Sequence, residues 1–163
     1  MIGIIEIPGE PRGKQRPKFS TRGQKVVTYT PAETRNYETL VRSKWAQETN
    51  NLYFGPEDEI YVLIEAWYKI PKSASKKVQG KMAIGQIRPR TKPDFDNIGK
   101  IICDSLNGYA YRDDAQICGA LVMKMYSTEP RVNAWVMNER AMFYWMLGSY
   151  FTEGGPKDEI AGE

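Results

Sequence analysis

The sequence predicts a small single domain of the α/β class, on three observations. Its 163 residues, 41% of them apolar, suffice for one core that buries about 70% of the unfolded chain's surface, and two independent domains are not expected. Segments of strand character, at residues 2–7, 60–70, 116–126 and 132–137, are interspersed with segments of helical spacing at 31–49, 95–106 and 139–151. No internal repeat interrupts this order.

Each element has its own signal. Residues 2–7 alternate loosely and are closed by Pro8-Gly9, after which a long loop occupies residues 8–30. Thr30-Pro31-Ala32-Glu33 predicts a helix start, with Thr30 as N-cap, Pro31 first in the helix and Glu33 reaching back in a capping box. Tyr37, Leu40, Val41, Lys44 and Trp45 then form a stripe, with the Lys44 stem inside it, to about Thr49, where Asn50-Asn51 stops the helix. Ile60 to Ile70 is dense in Ile, Val, Leu, Trp and Tyr, as a largely buried strand is, and part of 73–83 forms a short helix. Phe95, Ile98, Ile101, Ile102 and Leu106 follow helical spacing up to a C-cap at Asn107-Gly108. Tyr109 to Arg112 and Gln116 to Tyr126 read as strands flanking Asp113-Asp114, and Val132 to Met137 as another after Pro130. Residues 139–151 are apolar all round, as a helix packed on the domain or on a second subunit is. The chain therefore divides into a domain at 1–138, a helical extension at 139–153 and a tail at 154–163 with too little apolar content to order.

Composition removes whole classes of chemistry. There is no histidine, so serine–histidine hydrolysis and imidazole metal sites are out, and two cysteines, Cys103 and Cys118, are too few for a zinc cage. No apolar run approaches the ~20 residues of a membrane span, and Met1 to Ile7 does not resemble a signal peptide, so the expected location is the cytoplasm. Catalysis must rest on carboxylates, lysine or arginine, with an oxygen-ligated ion such as Mg²⁺.

The formal charge of +3 conceals a segregation. From Pro11 to Ala32 no acid occurs, and Arg12, Lys14, Arg16, Lys18, Arg22 and Lys25 alternate with Gly, Pro and Ser. From Lys69 to Pro93 none occurs either, and Lys76, Lys77, Arg88, Arg90 and Lys92 are among eight basic residues there. The two segments hold 14 of the 23 Lys and Arg residues, as a surface that neutralises a polyanion's phosphates would. Asp94, Asp96, Asp104, Asp113 and Asp114 begin where the second segment ends.

Lys92-Pro93-Asp94-Phe95-Asp96-Asn97-Ile98-Gly99-Lys100 carries the chemistry. Extended backbone at Asp94 can turn its carboxylate and that of Asp96 toward one point, and Lys100, one turn after Asp96, either pairs with it or reaches a scissile phosphate. Chain reversal after the helix can return one of Asp113 and Asp114 to the same pocket. Two carboxylates ~4 Å apart repel by about 4 kcal/mol at an effective dielectric of ~20, and a divalent cation relieves that conflict. Taken singly, each acid also reads as a cap, a first-turn dipole partner or a turn residue. Their concentration beside the cations favours the metal site.

The run from Lys92 through Lys100, with Asp104-Ser105-Leu106-Asn107-Gly108 and Asp113-Asp114-Ala115-Gln116-Ile117, resembles the RusA family of Holliday-junction resolvases. Ile7-Pro8-Gly9-Glu10-Pro11, Lys14-Gln15-Arg16-Pro17, Tyr29-Thr30-Pro31 and Tyr37-Glu38 are similar to its N-terminal half, so the resemblance covers roughly residues 4–137. It implies a small dimeric α/β endonuclease with helices packed on a mixed sheet, of a kind often carried by phages and prophages. Such an enzyme uses Mg²⁺, with Mn²⁺ as a substitute, to make paired symmetric cuts in a four-way DNA junction during recombination and repair. By resemblance the catalytic acids are Asp94, Asp96 and Asp114, with Lys100 as basic partner. The same three aspartates are the metal ligands, Asp113 being a further candidate, because adjacent strand residues face opposite ways and only one readily meets the ion. Lys14 and Arg16 match the family's basic motif, and with Lys18, Lys76, Lys77, Arg88, Arg90 and Lys92 they are the expected DNA contacts. The alternatives are a nuclease of flaps or forks, a DNA-binding dimer without catalysis, and a protein-interaction module built around Trp145.

Overall fold

A computed structural model of the chain describes residues 1–22 and 25–146. The apolar run predicted as a strand becomes β4 (Ile60–Lys69), which is paired on both edges. β6 (Arg131–Asn138) lies antiparallel on one side of it and β5 (Ile117–Ser127) parallel on the other, while β1 (Ile2–Pro8) pairs antiparallel with β6. The order β1-β6-β4-β5 makes the mixed sheet expected of the α/β class. A parallel pair cannot be joined by a hairpin. The crossover from β4 to β5 therefore holds two helices, α2 (Lys76–Ala83) and α3 (Phe95–Leu106), and the acidic motif begins the second.

One face of the sheet meets α1 (Ala32–Thr49) and α3. Ile5, Ile7, Val62, Ile64, Val132 and Val136 from the strands close against Tyr37, Val41 and Trp45 of α1 and Ile98, Ile101, Ile102 and Leu106 of α3. Fully burying each of the aliphatic side chains is worth about 1.5–3 kcal/mol. This packing fixes the axis of α3 and thereby the place of its N-terminus. On the opposite face α4 (Glu139–Met146) folds back over Leu63 and Met137, which are buried with Ala141. That face is less fully covered, leaving Ile4 46% and Leu121 50% exposed. Among the described residues no helix is long and apolar enough to cross a membrane.

Several local expectations are corrected. Pro31, not Thr30, caps α1: its backbone is extended (φ −54°, ψ 144°), the helix starts at Ala32, and no side chain caps it. Glu33 turns instead toward Arg12, 3.8 Å away, and Gln15. The expected loop at 8–30 contains an antiparallel pair, β2 (Lys18–Arg22) and β3 (Lys25–Tyr29), each only five residues long. Tyr109 to Arg112 is not a strand. The N–H groups of Tyr109 and Ala110 both donate to Leu106 O at 2.9 Å and that of Gly108 to Tyr111 O at 2.7 Å, so the segment closes the end of α3. Ala110 and Tyr111 look strand-like because they are buried under that helix end. α4 follows the expected helical extension to Met146, and residues 147–163, including the tail expected to be disordered, lie outside the described residues.

Candidate active site

Asp94 is the N-cap of α3 by backbone (φ −71°, ψ 154°), yet its carboxylate caps nothing. It stands half-exposed, 2.9 Å from Lys92 Nζ. The segment before it is anchored from two strands: Tyr68 Oη on β4 and Lys124 Nζ on β5 both donate to Pro93 O at 3.0 Å, and Lys124 also donates to Thr91 O. The Lys124 ammonium lies 5.1 Å from the Tyr68 ring centroid. Burial pushes the Tyr68 phenol up to about 12, helped by the charges of Glu10 and Asp94, and burial lowers the Lys124 ammonium against the pull of Asp94. Neither residue was singled out by sequence reasoning. A lysine inside an otherwise apolar strand was the available signal.

The N-terminal basic loop closes on the same helix. Lys14 N donates to Asn97 O at 3.0 Å, and at Gly13 a Cβ would stand only 2.7 Å from Pro93 Cβ and 3.1 Å from Asn97 Cβ, so this approach requires glycine. The Lys14 ammonium lies between Glu38 of α1 and Asp104 of α3, 3.2 Å from the latter. Burial works to lower this ammonium, and its hydrogen bonds to Glu38 and Asp104 outweigh it, so the pKa is raised above the usual lysine range. Lys14 thus braces three segments and is already charge-paired. Arg16 is exposed and shares with Arg12, Lys92, Asp94 and Asp96 the lining of a cleft of about 760 Å³.

Asp96 sits in the first turn of α3, where the helix dipole favours a negative charge. Its recorded hydrogen bond is a long one from Asn97 Nδ2, at 3.4 Å. Lys100 turns away from it toward Asp104, 3.8 Å distant, and is 61% exposed. Asp96 also lines a second cavity of about 330 Å³ together with Lys100 and Asp114. Asp113 and Asp114 part company there. Asp113 caps a 3₁₀ turn (Asp114–Gln116), its Oδ1 accepting from Ala115 N at 2.9 Å, while the exposed Asp114 carboxylate faces the cavity. Gln116 holds that turn to the body by donating to Gly55 O at 2.7 Å.

Asp96 therefore shares one cavity with Asp94 and the other with Asp114. Among the described residues no three His, Cys, Asp or Glu side chains are gathered as a metal-binding group. The three aspartates offer oxygen donors only, which suits a hard cation such as Mg²⁺. Burial pushes the Cys103 thiol up to about 11, which leaves it inert as a nucleophile.

The outer basic residues occupy other ground. Lys76 and Lys77 are exposed on α2, which caps itself by Val78 N donating to Ser75 Oγ and has no buried residue. Arg88 and Arg90 are exposed in the segment leading to the motif, and the Arg88 guanidinium lies over Gly85. None of these four lines either cavity. Lys18 opens β2, and its side chain lies outside the described set.

Comparison with known proteins identifies the family to which this chain belongs. The family model described as endodeoxyribonuclease RusA matches residues 8–137. The chain belongs to the RusA endodeoxyribonuclease family. A RusA-type chain is a nuclease by class, and the match runs from the last residue of β1 to the penultimate residue of β6, with the basic loop and Asp94, Asp96 and Asp114 inside it. The uncharacterized protein YqaN of Bacillus subtilis (strain 168) is 38% identical over 133 residues, which cover 78% of this chain and 90% of YqaN. α4 lies beyond the family match.

Proposed function

We propose that this RusA-family nuclease is a homodimeric, Mg²⁺-dependent enzyme that resolves four-way DNA junctions by paired symmetric incisions. One observation carries the reading: the N-terminal end of α3 leaves the carboxylates of Asp94 and Asp96 uncapped in a cleft whose other walls bring Arg12, Arg16 and Lys92. Asp94, Asp96 and Asp114 would hold the metal, with Mn²⁺ able to replace Mg²⁺. When bound, such an ion lowers the pKa of a water and stabilises the leaving oxygen.

The remaining steps belong to the chain. Arg16 and Lys92 bind the phosphates on either side of the cut, and Lys100 offsets negative charge developing on the scissile phosphate. Lys14, Glu38 and Asp104 keep the basic loop on α3 and so hold those cations in place. Lys76, Lys77, Arg88 and Arg90 reach the outer arms of the junction and supply salt-dependent affinity. The second face of the sheet supports the dimer. Ile4, Trp135, Leu63 and Leu121 are aligned across four strands there, and the two outermost are about half exposed. A two-fold dimer presents one site to each of two opposed strands.

The test is incubation with a labelled four-way junction, a flap and a linear duplex, in Mg²⁺ and in EDTA, alongside Asp96→Asn. Paired symmetric nicks confined to the junction and lost in EDTA and in the variant are expected. Equal cutting of the flap would move the reading to other branched DNA, and tight binding without any cut would leave a DNA-binding protein.

A further inference from the structure

Helical spacing places Phe95 on the buried stripe of α3 with Ile98 and Ile102, both of which are fully buried. Phe95 is nonetheless 64% exposed, between the two aspartates of the motif. Its ring lines the 330 Å³ cavity that also holds Asp96, Lys100 and Asp114 at its rim. The floor is aliphatic, made by Ile117, Ala120 and Val122 of β5. Gly99 lets α3 lie against that strand, since a Cβ there would stand 3.3 Å from Val122 Cγ2.

The chemistry of this cavity differs from that of the larger cleft. An exposed phenyl ring over an aliphatic floor suits a flat, uncharged group. In the metal-free protein the rim carries Asp96, Asp104 and Asp114, with Lys14 and Lys100 both paired to Asp104, and so offers carboxylate acceptors to amino or imino N–H groups. A nucleobase has both properties, a π-face and edge donors. It can enter only where it is not stacked and paired in a duplex, which is the condition of bases at a branch point or in a single strand.

We propose that this cavity is a nucleobase subsite, in which Phe95 stacks on an unstacked base beside the scissile phosphate. The inference rests on the nuclease reading above and deepens it: Phe95 selects for DNA whose bases are locally open. Aromatic–base stacking of this kind changes affinity by about fivefold or more.

The experiment is a double-mutant cycle on the full chain in EDTA, in which cleavage is blocked. Binding is measured to a four-way junction and to a short single strand, each carrying one abasic nucleotide moved stepwise through the site. For the unmodified protein, one abasic position is expected to weaken binding at least fivefold. Phe95→Ala and Phe95→Leu should bind intact DNA that much more weakly and be indifferent to that abasic position, whereas Phe95→Trp should restore the sensitivity. Unchanged thermal midpoints verify folding, which the exposure of this ring favours. If no abasic position on either DNA couples to Phe95, the subsite is overturned. Failure of the protein to cut the junction in Mg²⁺ would overturn the junction reading instead, and the single-strand cycle decides the subsite regardless.

Discussion

At its C-terminal end α3 is enclosed: Ile101, Ile102, Ser105 and Leu106 are fully buried, Arg42 Nε donates to Ser105 O at 3.0 Å, and the buried Tyr111 donates to Cys103 O at 3.0 Å. At its N-terminal end Asp94, Phe95, Asp96 and Lys100 are exposed, and the capping residue makes no side-chain cap. A helix needs only part of its length fixed to be held in place. Because core packing supplies that at the C-terminal end, the N-terminal carboxylates stay at the surface without a structural role in the core. The cost of an unused cap, about 1 kcal/mol, is small beside the burial of three large apolar side chains, Ile101, Ile102 and Leu106.

The contrast can be broken by substitution at each end. Asp96→Asn should lower the cleavage rate by about 10³-fold, equivalent to about 4 kcal/mol on the barrier, with a thermal midpoint within about 2 °C of the parent. A large loss of stability in that variant would mean that the N-terminal end is structural after all. Leu106→Ala should do the reverse, costing about 2–5 kcal/mol in urea titrations while leaving cleavage per folded molecule nearly unchanged. Tyr111→Phe removes one hydrogen bond to a buried carbonyl and should cost about 1–2 kcal/mol by the same measurement.

The smallest effect sharpens the comparison from outside the helix. The Lys14 pKa is raised in the folded protein above the ordinary 10.5, so its pairing contributes fully below pH 10.5 and fades as the pH climbs through the folded value. Lys14→Met should therefore be less stable than the parent by under about 1 kcal/mol at pH 7, and the gap should close in alkaline solution. A gap that instead widened above pH 10.5 would show that Lys14 is not held by Glu38 and Asp104.

Much of the fold was legible where the signal was local and periodic. α3 runs from Phe95 to Leu106 as its spacing predicts, and β4, β6 and α2 lie within a few residues of their expected places. Where two local readings had equal spacing, the sequence could not choose. Lys100 is four residues from both Asp96 and Asp104, and the intrinsic preference for an acid N-terminal to the base favours the first. The structure gives the second, where Lys14 and Glu38 already gather charge from distant parts of the chain. Spacing likewise left Asp113 and Asp114 equivalent, and the 3₁₀ turn distinguishes them by using Asp113 as its cap.

The sequence by itself narrowed the class of chemistry, because the lack of histidine removes imidazole catalysis, and its motifs carried the resemblance to the family that the match bears out. It also determined where the motif helix begins and ends. Tertiary structure alone decided that Phe95 leaves the buried stripe, that Lys14 braces the loop from within, and that Lys124 and Tyr68 anchor the entry to Asp94. Each of these depends on a partner 24 or more positions away or on what the sheet leaves uncovered. Periodicity reports which face of an element is apolar, and only packing reports what stands opposite it.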